Sequence, residues 1–218
     1  VTAIRTPGVW AALAVLALSM TACSAETDAG TAKGQPASEV CGGFAEEAGA
    51  ASALEAVAGK GARLTSDQSE PDRVVTDLRK AAQTPQNGKQ RMKGVPFCTL
   101  ETAGDEKNVL SITVREALAL PGDDAVKDLA TFYATGRRAS SSDLFASVYF
   151  TCRLKAPAHE IVLAAELERA DENEADHPGI RDEQITLANA AARHVAAELG
   201  CADTGLAEGV PAQAQARP

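Results

Sequence analysis

The sequence predicts an α+β fold: a four-stranded antiparallel sheet made of two hairpins, helices packed mainly on one face, and two disulfides. Three observations predict it. Two pairs of segments alternate apolar and polar residues, Phe97–Thr102 with Asn108–Leu118 and Leu144–Lys155 with Glu160–Arg169. A segment near the end of the chain repeats apolar residues at helical spacing. Four widely spaced cysteines flank or enter these elements.

Taken in order, the first helix is expected from Gly42 to about Ala58. Phe44, Ala48, Ala51 and Leu54 form its stripe, and Gly59 and Gly61 end it. A second helix is expected from Ser69, where Ser69-Glu70-Pro71-Asp72 supplies an N-cap serine, an acid three residues on and an early proline. Val74, Val75, Leu78, Ala81 and Ala82 give it an apolar face. A polar, mildly basic loop follows. The first hairpin turns around AGDEK and the second around APA. Between the hairpins, Asp123 to Thr135 reads as a short helix on the spacing of Val126, Leu129, Ala130 and Tyr133. The last helix carries Ile185, Ala188, Ala191, Ala192, Val195 and Leu199 on one face, with Gly200 as its C-cap.

The hairpins share a pattern: C-x-L, a turn, then V-L-x₃-[VL]-x₂-A, once from Cys98 to Ala117 and once from Cys152 to Ala170. A duplication and the common grammar of half-buried hairpins both produce it. Either way it assigns faces, because strand side chains alternate with period 2. Cys98, Leu100, Leu110, Ile112 and Val114 share one face with Leu144, Ala146, Val148, Phe150, Cys152, Leu154, Ile161, Leu163, Ala165 and Leu167. A single apolar face calls for helices on that side.

The N-terminus reads as an address rather than as part of this fold. Arg5 is a short positive region, and VWAALAVLAL from Val9 to Leu18 is an apolar run too short to span a bilayer. Ser19-Met20-Thr21-Ala22-Cys23 follows. This junction resembles the lipobox of bacterial lipoproteins. The resemblance implies cleavage after Ala22, diacylation of Cys23 and anchoring of the mature protein to the outside of the cell membrane. More broadly, the chain resembles the small, Ala-rich, four-cysteine envelope lipoproteins of actinobacteria, which supply no catalytic residues by analogy. The expected organisation is a signal peptide at 1–22, a lipidated flexible tether at 23–38, a disulfide-stapled domain at 39–201 and a disordered tail at 202–218.

The cysteine count fits this. Of five cysteines, setting Cys23 aside leaves an even four, as an exported chain with paired thiols requires. The economical pairing is Cys41 with Cys98 and Cys152 with Cys201, each tying a helix end to the sheet. Spacing alone leaves all three connectivities open. No C-x₂-C pair suggests zinc, and no metal or organic cofactor is expected.

Composition narrows the function. The formal net charge of −9 opposes binding to a phosphate backbone, so no nucleic-acid partner is expected. Alanine accounts for 45 of 218 residues, so the core is built from small side chains. No G-x-S-x-G, H-E-x-x-H, Walker or G-x-G-x-x-G motif occurs. The acidic stretch from Asp171 to His177 lacks the glycine and terminal glutamate of a calcium loop and reads as a solvated loop. The outward sheet face is more suggestive. By alternation it carries Thr99, Glu101, Thr113, Arg115, Phe145, Tyr149, Thr151, Arg153, Glu166 and Glu168. Arg115, Phe145, Tyr149 and Arg153 are the candidate contact residues, since exposed aromatics and arginines are common anchors. The expectation is a non-catalytic domain that binds an envelope protein or a small ligand. The alternative is an extracytoplasmic hydrolase with an acid/base site near 159–183.

Overall fold

The computed structural model describes residues 34–66, 71–83, 94–104, 106–122, 128–155, 158–170 and 179–214. The apolar run, Cys23 and most of the predicted tether lie outside these residues, as do the loop at 84–93 and the acidic stretch at 171–178.

The sheet has seven antiparallel strands, not four. They are β1 (Leu64–Ser66), β2 (Val95–Thr102), β3 (Asn108–Glu116), β4 (Thr131–Tyr133), β5 (Arg138–Ser141), β6 (Phe145–Lys155) and β7 (Ala158–Arg169), in the order β1-β2-β3-β7-β6-β5-β4. The two expected hairpins form its centre. They join through β3 and β7, where Val114 stands opposite Ala165. The additional strands lie at the edges and are short. β5 is Arg-Ala-Ser-Ser, with only Ala139 as an apolar inward residue, so it carries almost no hydrophobic alternation. Residues 131–133, read from sequence as the end of a helix, form β4 instead. Tyr133 continues the helical spacing of Leu129 and Ala130, but pairing with β5 satisfies the backbone of 131–133.

The inner face follows the alternation. Cys98, Leu100, Ile112, Val114, Val148, Phe150, Cys152, Leu163 and Ala165 are all buried. A register shift between Pro96 and Cys98 also brings Phe97 into the core, edge-on to Phe44 at 5.6 Å between ring centroids. The helix α3 (Ile180–Leu199) lies over β5, β6 and β7. Its alanines bring the backbone close to the sheet, and twelve of its residues are buried. Gly200 ends it in the left-handed conformation, donating its N–H to the carbonyls of Ala196 and Ala197.

The first helix differs from its prediction. A 3₁₀ segment spans Ala37–Gly43, and α1 begins only at Ala48 and ends at Ala58. Cys41, Gly42 and Gly43 all have positive φ, which stops a right-handed helix from running through them. The buried stripe of α1 is Ala50, Ala53 and Leu54; Leu54 is as predicted, Ala50 and Ala53 take the place of Ala48 and Ala51, and the helix packs on α3. The helix α2 (Pro71–Gln83) sits beside β2, with Val75 and Leu78 buried; its proposed cap, Ser69, lies outside the described residues.

Both disulfides form as paired by economy. Cys41–Cys98 and Cys152–Cys201 have Cα separations of 5.6 and 4.8 Å. One ties the 3₁₀ segment to β2. The other ties β6 to the end of α3.

The segments expected to be a flexible tether and a disordered tail enter the fold where they are described. Gln35 pairs with Leu64 through two backbone hydrogen bonds of 2.7 and 2.9 Å, covering the outer edge of β1. At the opposite edge, Gln213 pairs with Tyr133, and Ala134 N–H and Ala214 N–H donate to the carbonyls of Ala212 and Phe132. Low apolar content misleads here because these stretches are held by backbone and polar contacts. Buried Asn189 accepts from Thr135 Oγ1 at 2.6 Å and donates from its amide nitrogen to the carbonyls of Ala207 and Gly209.

Candidate functional site

Beyond β3 the chain leaves the sheet at Ala117 and re-enters it at Thr131. Parts of this connection, Pro121, Leu129 and Ala130, stand over the outer sheet face and enclose with it a cleft of about 600 Å³. That volume falls within the range of small-ligand pockets. Arg138 fixes one side of the connection to the floor, because its guanidinium donates to the carbonyls of Pro121 and Gly122 while stacking 5.2 Å from the centroid of the Phe132 ring.

Register arranges the floor in three rows across the strands. The first row is Ser111, Glu168 and Phe145; the second is Thr113, Glu166, Ser147 and Ser140; the third is Arg115, Ala164, Tyr149 and Arg138. Successive rows are two residues apart on each strand, roughly 7 Å. The alternation that buries Ile112, Val148 and Leu167 on the other face turns these residues outward.

Each row has its own chemistry. In the third, the Tyr149 ring is buried among Ala117, Ala164 and Val162. Burial pushes its phenol above the ordinary tyrosine range, and the nearby Glu166 charge pushes it further. Arg115 reaches to the second row and donates from Nε and Nη2 to both Glu166 oxygens, at 2.8 and 2.5 Å. These hydrogen bonds hold the guanidinium above its ordinary value, with burial opposing them. The fork geometry is that of a bidentate arginine–carboxylate pair. Both side chains remain about one-third exposed, so the pair organises the floor more than it stabilises the fold. Ser140 and Ser147 hydroxyls stand 3.4 Å apart. In the first row, Phe145 is 52% exposed, and Leu129 of the cleft lining is 68% exposed.

Three of the four residues proposed from sequence therefore meet. Phe145 and Tyr149 line the cleft, and Arg115 braces it through Glu166. Arg153 lies far along β6, where it pairs with Glu160 at 3.2 Å near the hairpin turn, away from the cleft. Arg138, the serines of β5 and the covering residues were not among the sequence candidates. Once β5 is recognised as a strand, alternation alone places Arg138 and Ser140 on this face.

A second, more polar cavity of about 460 Å³ lies near the end of α3, beside Arg193, His194 and Cys201. Arg193 pairs there with Glu47 at 2.5 Å. His194 packs 5.7 Å from the Phe97 ring, and burial holds its imidazole below the ordinary histidine range, against the opposing charge of Glu198. Of the region proposed for hydrolysis, 171–178 and the side chain of His159 lie outside the described residues. Asp182, which is described, accepts from the Tyr133 hydroxyl at 2.6 Å and from Gln213 at 3.3 Å. Among the described residues no group of three or more His, Cys, Asp or Glu side chains is placed to hold a metal ion, and no helix is long and apolar enough to cross a membrane.

Comparisons with protein-family models, with curated proteins and with solved structures found no match for this chain.

Proposed function

We propose that this chain is a membrane-tethered binding protein of the cell envelope, acylated at Cys23, whose non-catalytic domain holds a small ligand in the cleft between the sheet and Pro121, Leu129 and Ala130. The cleft is the observation that carries the reading. It has the volume of a ligand site, an aromatic and aliphatic lining, and polar groups already set in position. Binding rather than turnover is supported by how those groups are engaged. Glu166 is held by Arg115, Ser140 stands against Ser147, and the Ser142 hydroxyl is bonded to the backbone of Phe145. No imidazole lines the cleft among the described residues, and the carboxylate opposite Ser147, Glu166, is engaged by Arg115.

The test is titration of the full chain with a neutral fluorescent probe such as prodan. Saturable binding to the native protein, lost when Ser147→Phe fills the middle of the floor, is the expected result. Equal binding by the variant with its disulfides intact, or no saturable binding by either protein, would reject the cleft as the site.

A further inference from the structure

The two carboxylates on the cleft floor differ in one respect. Glu166 is neutralised by a two-pronged bond from Arg115. Glu168, one row away, is exposed and makes no hydrogen bond or ion pair among the described residues. Cross-strand pairing puts it directly between Phe145 on β6 and Ser111 on β3. The Phe145 ring is half exposed, and Leu129, which lines the same cleft, has most of its surface uncovered.

Charge is therefore distributed unevenly along the cleft. At the third row, Arg138 is occupied by two backbone carbonyls of the covering connection, and Arg115 is turned to Glu166. At the first row a negative charge stands without a partner among the described residues, beside an aromatic face. A carboxylate next to an exposed ring attracts an organic ammonium through two independent terms, Coulombic attraction and the ring quadrupole. Apolar side chains also line the cleft, Leu129, Pro121 and the Tyr149 ring among them, and call for a hydrocarbon or aromatic body on the same molecule. The chain's net charge of −9 favours approach of a cation.

Resting on the reading of the cleft as a ligand site, we infer that its ligand is an organic ammonium with an apolar body, its charged nitrogen held at Glu168 and Phe145 and its body lying toward Tyr149 beneath Leu129. Glu168 sets specificity, and the aliphatic and aromatic lining supplies most of the affinity.

The experiment separates this inference from the reading beneath it. Three probes of equal chain length, octyltrimethylammonium, octanol and octanoate, compete below their aggregation concentrations against prodan bound to the full chain. The cation should displace prodan roughly tenfold more effectively than the alcohol, with octanoate weakest. Glu168→Gln should remove the advantage of the cation over octanol, both probes being compared on the same variant. Raising the salt concentration should reduce the same advantage. Phe145→Leu should weaken the cation more than the alcohol. If all three probes compete equally in the native protein, or if Glu168→Gln keeps the preference, the ammonium assignment is overturned while the cleft stands. If prodan itself fails to bind, the cleft reading falls first.

Discussion

Thr135 and Asn189, 54 residues apart in the chain, meet in the interior with the threonine hydroxyl donating to the asparagine carbonyl oxygen at 2.6 Å. The same hydroxyl accepts from the N–H of Ala207, and the Asn189 amide donates to the carbonyls of Ala207 and Gly209. Two side chains thus bind the end of the chain to α3 and to the β4–β5 turn. Every polar atom in this group is satisfied by another member, which lets it be buried.

Asn189→Ala should accordingly release the segment from 203 to 214. The buried partners lose their bonds, at a cost of about 1–3 kcal/mol. Hydrogen exchange should accelerate at Ala134, Ala207 and Ala214, whose N–H groups make the bonds to and from this segment, while the amides of β6 and β7 stay protected. Unchanged protection of the C-terminal segment would show that its backbone bonds to β4 suffice.

The tyrosines give a prediction in alkali. The chain has two, and both phenols are pushed up. For Tyr133 the causes are burial and then the hydrogen bond and charge of Asp182; for Tyr149 they are burial and then Glu166. An unfolded tyrosine ionises near pH 10. Between that value and the higher folded ones, the folded state binds more protons than the unfolded state. The associated stability is whole below about pH 10 and declines as pH rises beyond it. Absorbance at 295 nm should show little tyrosinate in the native protein at pH 10.5, with ionisation arriving together with unfolding. A smooth native titration centred at pH 10 would contradict the burial of both rings.

His194 works on the acid side. Burial lowers its folded value below that of an unfolded histidine, about 6.5. Stability is full above that value and declines as pH falls through it toward the folded one. His194→Gln should flatten the dependence of Tm on pH between about 5 and 7. A profile identical to that of the native chain would mean that the imidazole titrates freely.

Each disulfide closes a loop of about fifty residues, with separations of 57 and 49. In the chain-entropy model a loop of this size contributes about 4 kcal/mol. Cys152→Ser with Cys201→Ser should remove a large part of a typical stability of about 5–15 kcal/mol and lower the denaturant midpoint substantially. Loss of less than 1 kcal/mol would mean that α3 is held on the sheet by packing alone.

The anchor is tested by Cys23→Ala. The native protein should incorporate labelled palmitate and sediment with membranes, and the variant should appear in the soluble fraction. Palmitate uptake by the variant, or its continued sedimentation, would rule out Cys23 as the acylated residue.

The centre of this fold was legible because its residues announce both period and partner. Val148, Phe150 and Cys152 alternate cleanly, and the α3 alanines repeat at helical spacing up to a glycine that can only be a stop. The edges were not. β5 buries Ala139 and Ser141, only one of them apolar, and Tyr133 fits a helical stripe with Leu129 and Ala130 as well as a strand. Gly136 marks the turn between them, with φ +59° and a missing Cβ that would lie 2.3 Å from the Tyr149 carbonyl oxygen, but a lone glycine does not announce that contact in sequence. The cleft was half legible for the same reason. Its floor on β3, β6 and β7 follows from alternation. Its wall on β5 and its covering residues depend on strands without a hydrophobic signature.

The closed sheet edges and the two cross-links also determine how this molecule bears load. Drawn by its leading end, the chain can peel only from Gly34 to Val40 before the pull is caught at Cys41 and passed through sulfur to Cys98. The segments from 41 to 98 and from 152 to 201 are then bypassed by covalent shortcuts. Tension applied between the two termini must run through residues 98–152, the stretch that includes β3, β5 and most of β6, so the strands on either side of β7 are the molecule's mechanical fuse.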